Sequence, residues 1–300
     1  MKKLSLLVLS GLLVVLPQVG VNAETPPSIV VIDSGLSDAV FGNSIVTEAC
    51  FLEYSTCPNG QPTMEGAGAA NLPATKNAAF DHGSFMSSII LKVNPNAKLI
   101  PIRVIGMTAA GNPYIYSLAS VKMALDWVVA NRVKYNIAAV NISEGKIFPG
   151  CKVPAGLAED VATLKAADVA VIAATGNDSN RTAMMSPACL SDVISVGATD
   201  NPDPGVSGIP WSQKAKPYIA RYSNGTAQTT FYTNARFYVT KLDGTTKFMV
   251  GTSNASAAVA GWWVLNYQGT HATTLAALKA SATTVSNEWL SGSYLLIPSR

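Results

Sequence analysis

Short apolar runs alternate with stretches of helical period from Ser28 onward. Five nearly continuous runs rich in Val, Ile and Ala predict strands buried on both faces: Ser28–Ile32, Lys98–Val104, Ala138–Ser143, Val169–Thr175 and Val193–Gly197. Between them, apolar residues recur at helical spacing, first at Leu118, Val121, Leu125 and Val128 and then at Leu157, Val161 and Leu164. This alternation predicts a three-layer α/β fold, in which helices cover both faces of a mostly parallel sheet.

The C-terminal part of the chain adds a hairpin and two helices to this pattern. Two strand-like runs, Phe237–Leu242 and Thr245–Val250, flank Asp243 and Gly244, a pair that predicts a two-residue hairpin turn. Small and apolar residues from Ser253 to about Asn266 predict a buried helix, and Thr273–Ala282 predicts another. The Pro- and Gly-rich segment 201–216 predicts a long loop.

The N-terminus has the pattern of a secretory signal peptide. Two lysines precede an apolar run from Leu4 to Leu16, and small residues follow up to Ala23. That run is shorter than the roughly 20 residues of a membrane-spanning helix, and no later segment is long and apolar enough to span a bilayer. We therefore expect cleavage after Ala23 (residues 1–23), a single domain over residues 24–300, and a secreted or periplasmic location.

Charge and cysteine content narrow the class of partner and the redox compartment. The formal net charge is +3 and the basic residues are scattered, which gives no indication of nucleic acid as a partner. Four cysteines in a chain bound for an oxidising compartment predict two disulfides. Of the three possible connectivities we favour Cys50–Cys57, which closes a local loop, with Cys151–Cys189, which flanks a buried strand. Free buried thiols are the alternative.

Two residues in the N-terminal half have the positions of catalytic groups. His82 opens a predicted helix continued by Phe85 and Met86, so its ring lies at the edge of a core, whereas His271 lies in a polar loop. A lone histidine is usually a packing residue, so this observation leaves both roles open. Asp33 ends the first predicted strand, and the carboxyl ends of parallel strands line the ligand crevice of open α/β folds. A helix cap or a turn is the alternative for Asp33.

Two further candidates follow later in the chain. Ser253 begins a predicted helix of small residues, which allows close approach of another backbone, and a helix N-terminus stabilises negative charge. The alternative is a plain serine N-cap. Asn177 follows the strand that ends at Thr175, and its amide is able to donate a hydrogen bond to an oxyanion. An ordinary turn is the alternative for Asn177.

Taken together, these residues resemble the subtilisin-like serine proteases (subtilases, peptidase family S8). The order Asp33, His82, Ser253 distinguishes that family from the chymotrypsin and α/β-hydrolase arrangements. The resemblance extends from Val30 to nearly the end of the chain. The matching motifs are Asp33-Ser34-Gly35, His82-Gly83-Ser84, Asn141-Ile142-Ser143, Ser186-Pro187-Ala188 and Gly251-Thr252-Ser253.

The resemblance implies a site and an activity. Asp33, His82 and Ser253 would form the catalytic triad of a serine endopeptidase that acts on a polypeptide substrate through an acyl-enzyme intermediate. Asn177 would complete the oxyanion hole, and the segment Ser143-Glu144-Gly145 would pair with the substrate backbone. This chemistry requires no metal or other cofactor. Calcium is a common structural ligand in the family, and Asp38 and Asp81 carry suitable carboxylates, but the sequence lacks a ligand loop of diagnostic spacing.

Several positions depart from the family pattern. Asn254 and Ala257 stand where the family usually has Met and Pro, and Glu144 stands where it is normally apolar or glycine. Secreted subtilases typically carry a propeptide, yet only Glu24–Pro27 separate the predicted cleavage site from the first strand. We therefore expect a chain that folds unaided, or one restrained by a separate inhibitor or folding partner.

These departures keep three alternatives open. The first is a catalytically silent subtilase-fold protein that binds peptides. The second is an acyl-transfer variant that acts as a peptide ligase or cyclase. The third is a processing protease of narrow specificity, for which Glu144 indicates basic substrate residues.

Overall fold

The computed structural model describes residues 26–72, 78–108, 117–200 and 217–297. The predicted signal peptide and the predicted loop at residues 201–216 lie outside these ranges. No helix within the described ranges has both the length and the apolar character that crossing a lipid bilayer requires.

The centre of the sheet consists of the five strands that the apolar runs predict. Numbered in chain order, they are β1 (Ser28–Asp33), β4 (Lys98–Arg103), β5 (Ile137–Ile142), β6 (Ala170–Ala174) and β7 (Ile194–Asp200). They lie in the order β4-β1-β5-β6-β7, and every neighbouring pair is parallel. Nearly all of their residues are buried, which explains why the sequence shows continuous apolar runs here.

Shorter strands extend the sheet at both edges. They are β2 (Ala49–Phe51), β3 (Thr63–Glu65), β8 (Tyr218–Ile219), β9 (Phe231–Asn234), β12 (Thr283–Ser286) and β13 (Ser291–Tyr294). The order is β12-β13-β9-β7-β6-β5-β1-β4-β2-β3, and β8 pairs with β7. The pairs β2–β3, β7–β8 and β12–β13 are antiparallel, so the sheet is mostly parallel, as predicted.

Six α-helices complete the described fold. They are α1 (Asp38–Phe41), α2 (His82–Val93), α3 (Leu118–Asn131), α4 (Leu157–Ala166), α5 (Thr252–Leu265) and α6 (His271–Ser281). Short 3₁₀ turns occur at Gly42–Ser44, Ala78–Asp81 and Pro149–Cys151.

Alternation along β1 divides the hydrophobic interior into two cores. Ile29 and Val31 point to one face of the sheet, where they join the buried residues of α2 and α5. Val30 and Ile32 point to the other face, where they join the apolar faces of α3 and α4. The three-layer α/β arrangement predicted from the sequence is therefore confirmed.

Helix α5 is the central helix of the first core. Ala255, Ala257, Ala258 and Trp263 are all fully buried, in keeping with a helix that is apolar around its whole circumference. It packs against α2 on one side and against β5, β6 and β7 on the other. The N-terminus of α5 consequently lies among the carboxyl ends of the central strands.

The hairpin predicted before Ser253 is present, but its turn differs from the prediction. Strands β10 (Arg236–Thr240) and β11 (Thr246–Val250) pair antiparallel as a separate two-stranded sheet. Lys241 N donates to the carbonyl of Thr245, so the turn contains three residues, Leu242 to Gly244. Within it, Gly244 takes a φ of 81°, which favours glycine, whereas Asp243 does not take positive φ and instead accepts a hydrogen bond from Thr245 N. The prediction of a two-residue turn was therefore wrong.

Both predicted disulfides are present. Cys50 pairs with Cys57, and Cys151 pairs with Cys189. All four cysteines of the chain are thus paired, which excludes the alternative of free thiols.

Candidate active site

The candidate residues meet at one edge of the sheet. Asp33 ends β1, Ser143 follows β5, and Asn177 follows β6, which are three adjacent parallel strands that run in one direction. His82 is the first residue of α2, and Ser253 is the second residue of α5. The chain order of the motifs therefore corresponds to a single cluster in space, as expected for strand ends in open α/β folds.

Asp33 and His82 form a close pair. Both carboxylate oxygens of Asp33 lie 2.9 Å from Nδ1 of His82, and the Asp33 side chain is 1% exposed. Ser34 fixes the start of α2, because its hydroxyl donates to the carbonyl of Phe80 and accepts from Gly83 N. Since Nδ1 faces the carboxylate, Nε2 is the nitrogen left for proton exchange with another group.

The hydroxyl of Ser253 is hydrogen-bonded to the end of β5. Its Oγ donates to the carbonyl of Ser143 at 3.1 Å, and the hydroxyl of Ser143 donates in return to the carbonyl of Ser253 at 3.2 Å. Within the described residues, Ser253 Oγ does not make a hydrogen bond to the imidazole of His82. Rotation about the side-chain bond of Ser253 would be needed before the two groups could exchange a proton, and such contacts often tighten only when substrate binds.

Asn177 is oriented with its amide nitrogen available. Its Oδ1 accepts hydrogen bonds from both the backbone N–H and the hydroxyl of Thr252, at 2.9 and 3.1 Å. These contacts fix which end of the side chain faces the helix, and they leave Nδ2 as a free donor. The N–H of Ser253 lies in the first turn of α5, where helical N–H groups have no intrahelical acceptor. Two donors suited to an oxyanion therefore lie beside the hydroxyl.

Asn224 is a supporting residue that the sequence analysis missed. It is fully buried, and its Oδ1 accepts from the N–H groups of Asp178 and Asn180, both at 2.9 Å. Its Nδ2 donates to the carbonyl of Thr175 and to the carboxylate of Asp178. Asn224 thereby holds the loop that carries Asn177. An asparagine before a glycine looks like an ordinary turn, so the sequence offers no signal for this role.

The segment Ser143-Glu144-Gly145 lies just beyond β5 rather than within it. The next residue, Lys146, forms an isolated antiparallel bridge with Ser186. Gly145 approaches Ser186 so closely that a Cβ atom there would lie 2.6 Å from the Ser186 carbonyl oxygen. The segment is thus fixed between Ser253 and the Ser186 backbone, and its pairing with a substrate stays a prediction.

Glu144 makes a contact that the sequence analysis did not foresee. Its Oε1 lies 3.1 Å from Nδ1 of His82, so two carboxylates approach the same nitrogen. Burial lowers the pKa of His82, but the charges of Asp33 and Glu144 raise it more, and the pKa lies at about 9. Burial raises the pKa of Glu144 to about 7 against the opposing effect of the His82 charge. The two carboxylates together therefore favour the imidazolium form of His82.

Ligand atoms of Asp33, His82 and Glu144 all lie within 4.8 Å of one another, the sole such group of three or more His, Cys, Asp or Glu in the described ranges. The short Nδ1–carboxylate distances are those of hydrogen bonds, so this geometry fits a triad better than a metal centre. The two carboxylates considered for calcium each accept a hydrogen bond within the protein. Asp38 accepts from Asn71 Nδ2, and Asp81 accepts from Leu242 N. That the reaction needs no metal stays a prediction.

The structure also gives the surroundings of Asn254 and His271, which the sequence did not indicate. Asn254 replaces the family's usual Met with a buried side chain whose Nδ2 donates to the carbonyl of Ala235 at 2.9 Å. This contact anchors α5 to the segment before the hairpin. His271 lies at the start of α6 rather than in a loop, and it is buried against Trp263. Its role there is packing.

Comparison with known proteins places this geometry in a family. A family model described as the subtilase family matches residues 26–292. The extracellular serine proteinase of Thermus sp. (strain Rt41A) is 32% identical over 128 residues, which cover 41% of this chain and 28% of that protein. The alkaline protease of Alkalihalobacillus alcalophilus is 30% identical over 146 residues, which cover 49% of this chain and 34% of that protein.

The aligned regions thus span about a third of the length of these two relatives. Among solved structures, a cold-adapted subtilisin-like serine proteinase aligns over 91% of this chain and 88% of its own, with a TM-score of 0.65 and 19% identity. That likeness shows the fold. With the family match over nearly the whole described chain, it follows that this protein belongs to the subtilase family.

Proposed function

We propose that the protein is a secreted serine endopeptidase that hydrolyses peptide bonds in a polypeptide substrate. The observation that carries this proposal is the arrangement of Asp33, His82, Ser253 and Asn177 at one sheet edge. Asp33 holds Nδ1 of His82 with both oxygens, and Ser253 lies at the N-terminus of a buried helix. Membership of the subtilase family supports the same reaction class.

In this mechanism Ser253 Oγ attacks the scissile carbonyl and forms an acyl-enzyme. His82 Nε2 takes the hydroxyl proton and passes it to the leaving amine, and a water molecule then repeats the sequence to release the acid. Asp33 keeps Nδ1 protonated and stabilises the imidazolium. These steps use the chain's own side chains and require no metal or other cofactor.

The developing oxyanion would be bound by two donors, the N–H of Ser253 and Nδ2 of Asn177. Thr252 supports this role, because its N–H and hydroxyl occupy Oδ1 of Asn177 and direct the amide nitrogen outward. The positive end of α5 adds to the stabilisation of negative charge at the same place.

The decisive test is covalent labelling with a fluorophosphonate, which reacts with activated serines. We expect the purified mature chain to be labelled and the Ser253→Ala variant to be unlabelled, with parallel loss of hydrolysis of an unfolded protein such as casein. Labelling that is absent, or that persists in Ser253→Ala, would reject the endopeptidase and leave a peptide-binding protein.

Product analysis separates hydrolysis from acyl transfer. We expect mass spectrometry of digested peptides to show free carboxyl and amino ends at the cleavage site. Joined or cyclic peptides as the main product would instead establish a ligase or cyclase with the same acyl-enzyme chemistry.

Secretion is supported by the N-terminal pattern and has a direct test. The protein recovered outside the cytoplasm of a bacterial host is expected to begin at Glu24. An intact N-terminus in the external fraction, or retention in the cytoplasm, would contradict it.

A further inference from the structure

Glu144 places a second carboxylate on the catalytic imidazole. Its Oε1 lies 3.1 Å from Nδ1 of His82, the nitrogen that both oxygens of Asp33 approach at 2.9 Å. Nδ1 carries at most one proton and its hydrogen bonds go to Asp33, so Glu144 contacts the imidazole as an ion pair without a hydrogen bond. The Glu144 carboxylate is therefore incompletely paired.

The environment of this carboxylate favours a cation. Burial disfavours the charged form of Glu144 and raises its pKa to about 7. Its side chain nevertheless remains 27% exposed, so it is open to a group that arrives from solvent. A cation brought against it would replace the hydration that the carboxylate has lost.

The surrounding charges do not satisfy Glu144 on their own. The groups that face the His82–Glu144 pair are Asp33 at the end of β1 and Lys247 of β11, whose positive charge lowers the pKa of His82. The ammonium of Lys247 lies 4.9 Å from the centre of the Phe85 ring. Within the described ranges, Lys247 does not form an ion pair with Glu144.

The position of Glu144 also defines which part of a substrate it would meet. Ser143 and Ser253 exchange hydrogen bonds on one side of it, and the bridge between Lys146 and Ser186 fixes the backbone on the other. In the proposed mechanism Nε2 of His82 faces the leaving amine. Glu144, which contacts Nδ1, belongs to the segment predicted to pair with the substrate backbone, so its carboxylate would lie beside a bound peptide close to the scissile bond.

We propose that Glu144 is a specificity-determining residue that binds a lysine or arginine side chain of the substrate close to the scissile bond. This inference rests on the proposed endopeptidase function and names its substrate class. When the basic side chain binds, the Glu144 carboxylate turns from His82 to the substrate. The imidazole then keeps Asp33 as its anionic partner, its pKa falls, and it accepts the Ser253 proton at lower pH. Binding of the basic substrate side chain is thereby coupled to activation of His82 as the general base.

The test compares matched peptides with three forms of the enzyme. Fluorogenic peptides carry Lys, Arg, Gln or norleucine at each of the four positions before and after the scissile bond, and kcat and KM are measured separately. The enzymes are wild type, Glu144→Gln and Glu159→Gln. Glu159 is an exposed glutamate in the first turn of α4 and serves as the matched control.

We expect wild type to prefer Lys or Arg over Gln at one of these positions by about 10- to 100-fold in kcat/KM, as for a partly buried charge pair. Glu144→Gln is expected to reduce this preference to about 2-fold or less, whereas Glu159→Gln keeps it. The far-UV circular dichroism spectrum of Glu144→Gln is expected to match that of wild type, which excludes a folding defect.

A second measurement is independent of turnover. In a Ser253→Ala background, fluorescence anisotropy is expected to show about 10-fold tighter binding of the Lys peptide than of the Gln peptide, and Glu144→Gln is expected to abolish the difference. A wild type indifferent to basic residues, or a preference that survives Glu144→Gln, would overturn the inference. Failure of labelling and hydrolysis with every peptide would instead reject the endopeptidase, while the binding comparison would still decide the role of Glu144.

Discussion

His82 is surrounded by the carboxylates of Asp33 and Glu144 and by the more distant ammonium of Lys247. Burial lowers its pKa, and the two carboxylates outweigh burial, so the pKa lies at about 9. An imidazolium cannot accept the proton of Ser253. The hydrogen bond from Ser253 Oγ to the Ser143 carbonyl fits this resting state, because the hydroxyl donates to an acceptor that is available.

The pH profile follows from the sign of this shift. For peptides without a basic residue, kcat/KM of wild type is expected to rise with pH and to level off above about 9, where the free enzyme holds a neutral imidazole. Glu144→Gln removes one charge that favours the imidazolium, so its rising limb is expected at lower pH. Rate measurements from pH 5 to 10 at constant ionic strength test this. Coincident profiles of wild type and Glu144→Gln would contradict the prediction.

Asn177 gives a prediction about transition-state stabilisation. We expect Asn177→Ala to lower kcat by about 10²–10³ with little change in KM, the range known for one oxyanion donor in subtilisin. Asn131 lies in α3 on the opposite face of the sheet, and Asn131→Ala is the matched control. Steady-state kinetics on one peptide substrate measure kcat and KM of wild type and both variants. A loss expressed mainly in KM would argue that Asn177 binds ground-state substrate instead.

At the scale of elements, the loop after β6 depends on Asn224. Its amide bonds to both sides of the loop, to the Thr175 carbonyl and to the N–H groups of Asp178 and Asn180. Removal of the amide deprives the N–H groups of Asp178 and Asn180 of their acceptor and leaves the Thr175 carbonyl with Met185 N as its donor. Each lost hydrogen bond costs about 0.5–1.5 kcal/mol. We expect Asn224→Ala to lower both Tm and kcat, because the loop carries Asn177.

The control for Asn224 is Asn59→Ala, which removes an exposed asparagine that also bonds to nearby backbone. Calorimetry and kinetics are measured on both variants. A drop in Tm without any loss of kcat would show that the loop holds Asn177 by other means.

Elements with a strong local pattern were predicted well. The central strands show as continuous apolar runs because both of their faces are buried, and α3 and α4 show as stripes because one face is buried. The edge strands β2, β3, β12 and β13 have three or four residues each, too few to establish a period. The hairpin was predicted, but its three-residue turn was not, because Asp243 does not take the positive φ that a two-residue turn requires and only Gly244 does.

The residues of the candidate site likewise divide into those with a local sequence pattern and those without one. Asp33, His82, Asn177 and Ser253 each end a strand or begin a helix, so local pattern and chain order were enough to propose them. Glu144 departs from the family pattern, but its contact with His82 depends on how the end of β5 and the start of α2 lie relative to each other. The role of Asn224 likewise depends on a contact between loops distant in sequence. Side-chain contacts between distant parts of the chain produce no periodic pattern in the sequence.

At the scale of the whole molecule, the two disulfides constrain very different lengths of chain. Cys50 and Cys57 are 7 residues apart, whereas Cys151 and Cys189 are 38 apart. Loop-closure entropy predicts stabilisation of about 2 kcal/mol for the short link and about 4 kcal/mol for the long one. The long link also joins the stretch after β5 to the residues that follow Ser186, whose backbone supports Lys146 beside Glu144.

We therefore expect the double variant Cys151→Ser/Cys189→Ser to lose more stability than Cys50→Ser/Cys57→Ser, with unfolding in urea as the measurement. We also expect Cys151→Ser/Cys189→Ser to raise KM more than Cys50→Ser/Cys57→Ser does, because the segment Ser143-Glu144-Gly145 loses the restraint behind it. Its kcat at saturating substrate is expected to fall by a smaller factor than its KM rises. Equal losses of stability would show that the denatured chain is constrained by other means. An unchanged KM would show that the bridge between Lys146 and Ser186 holds the substrate segment without the disulfide.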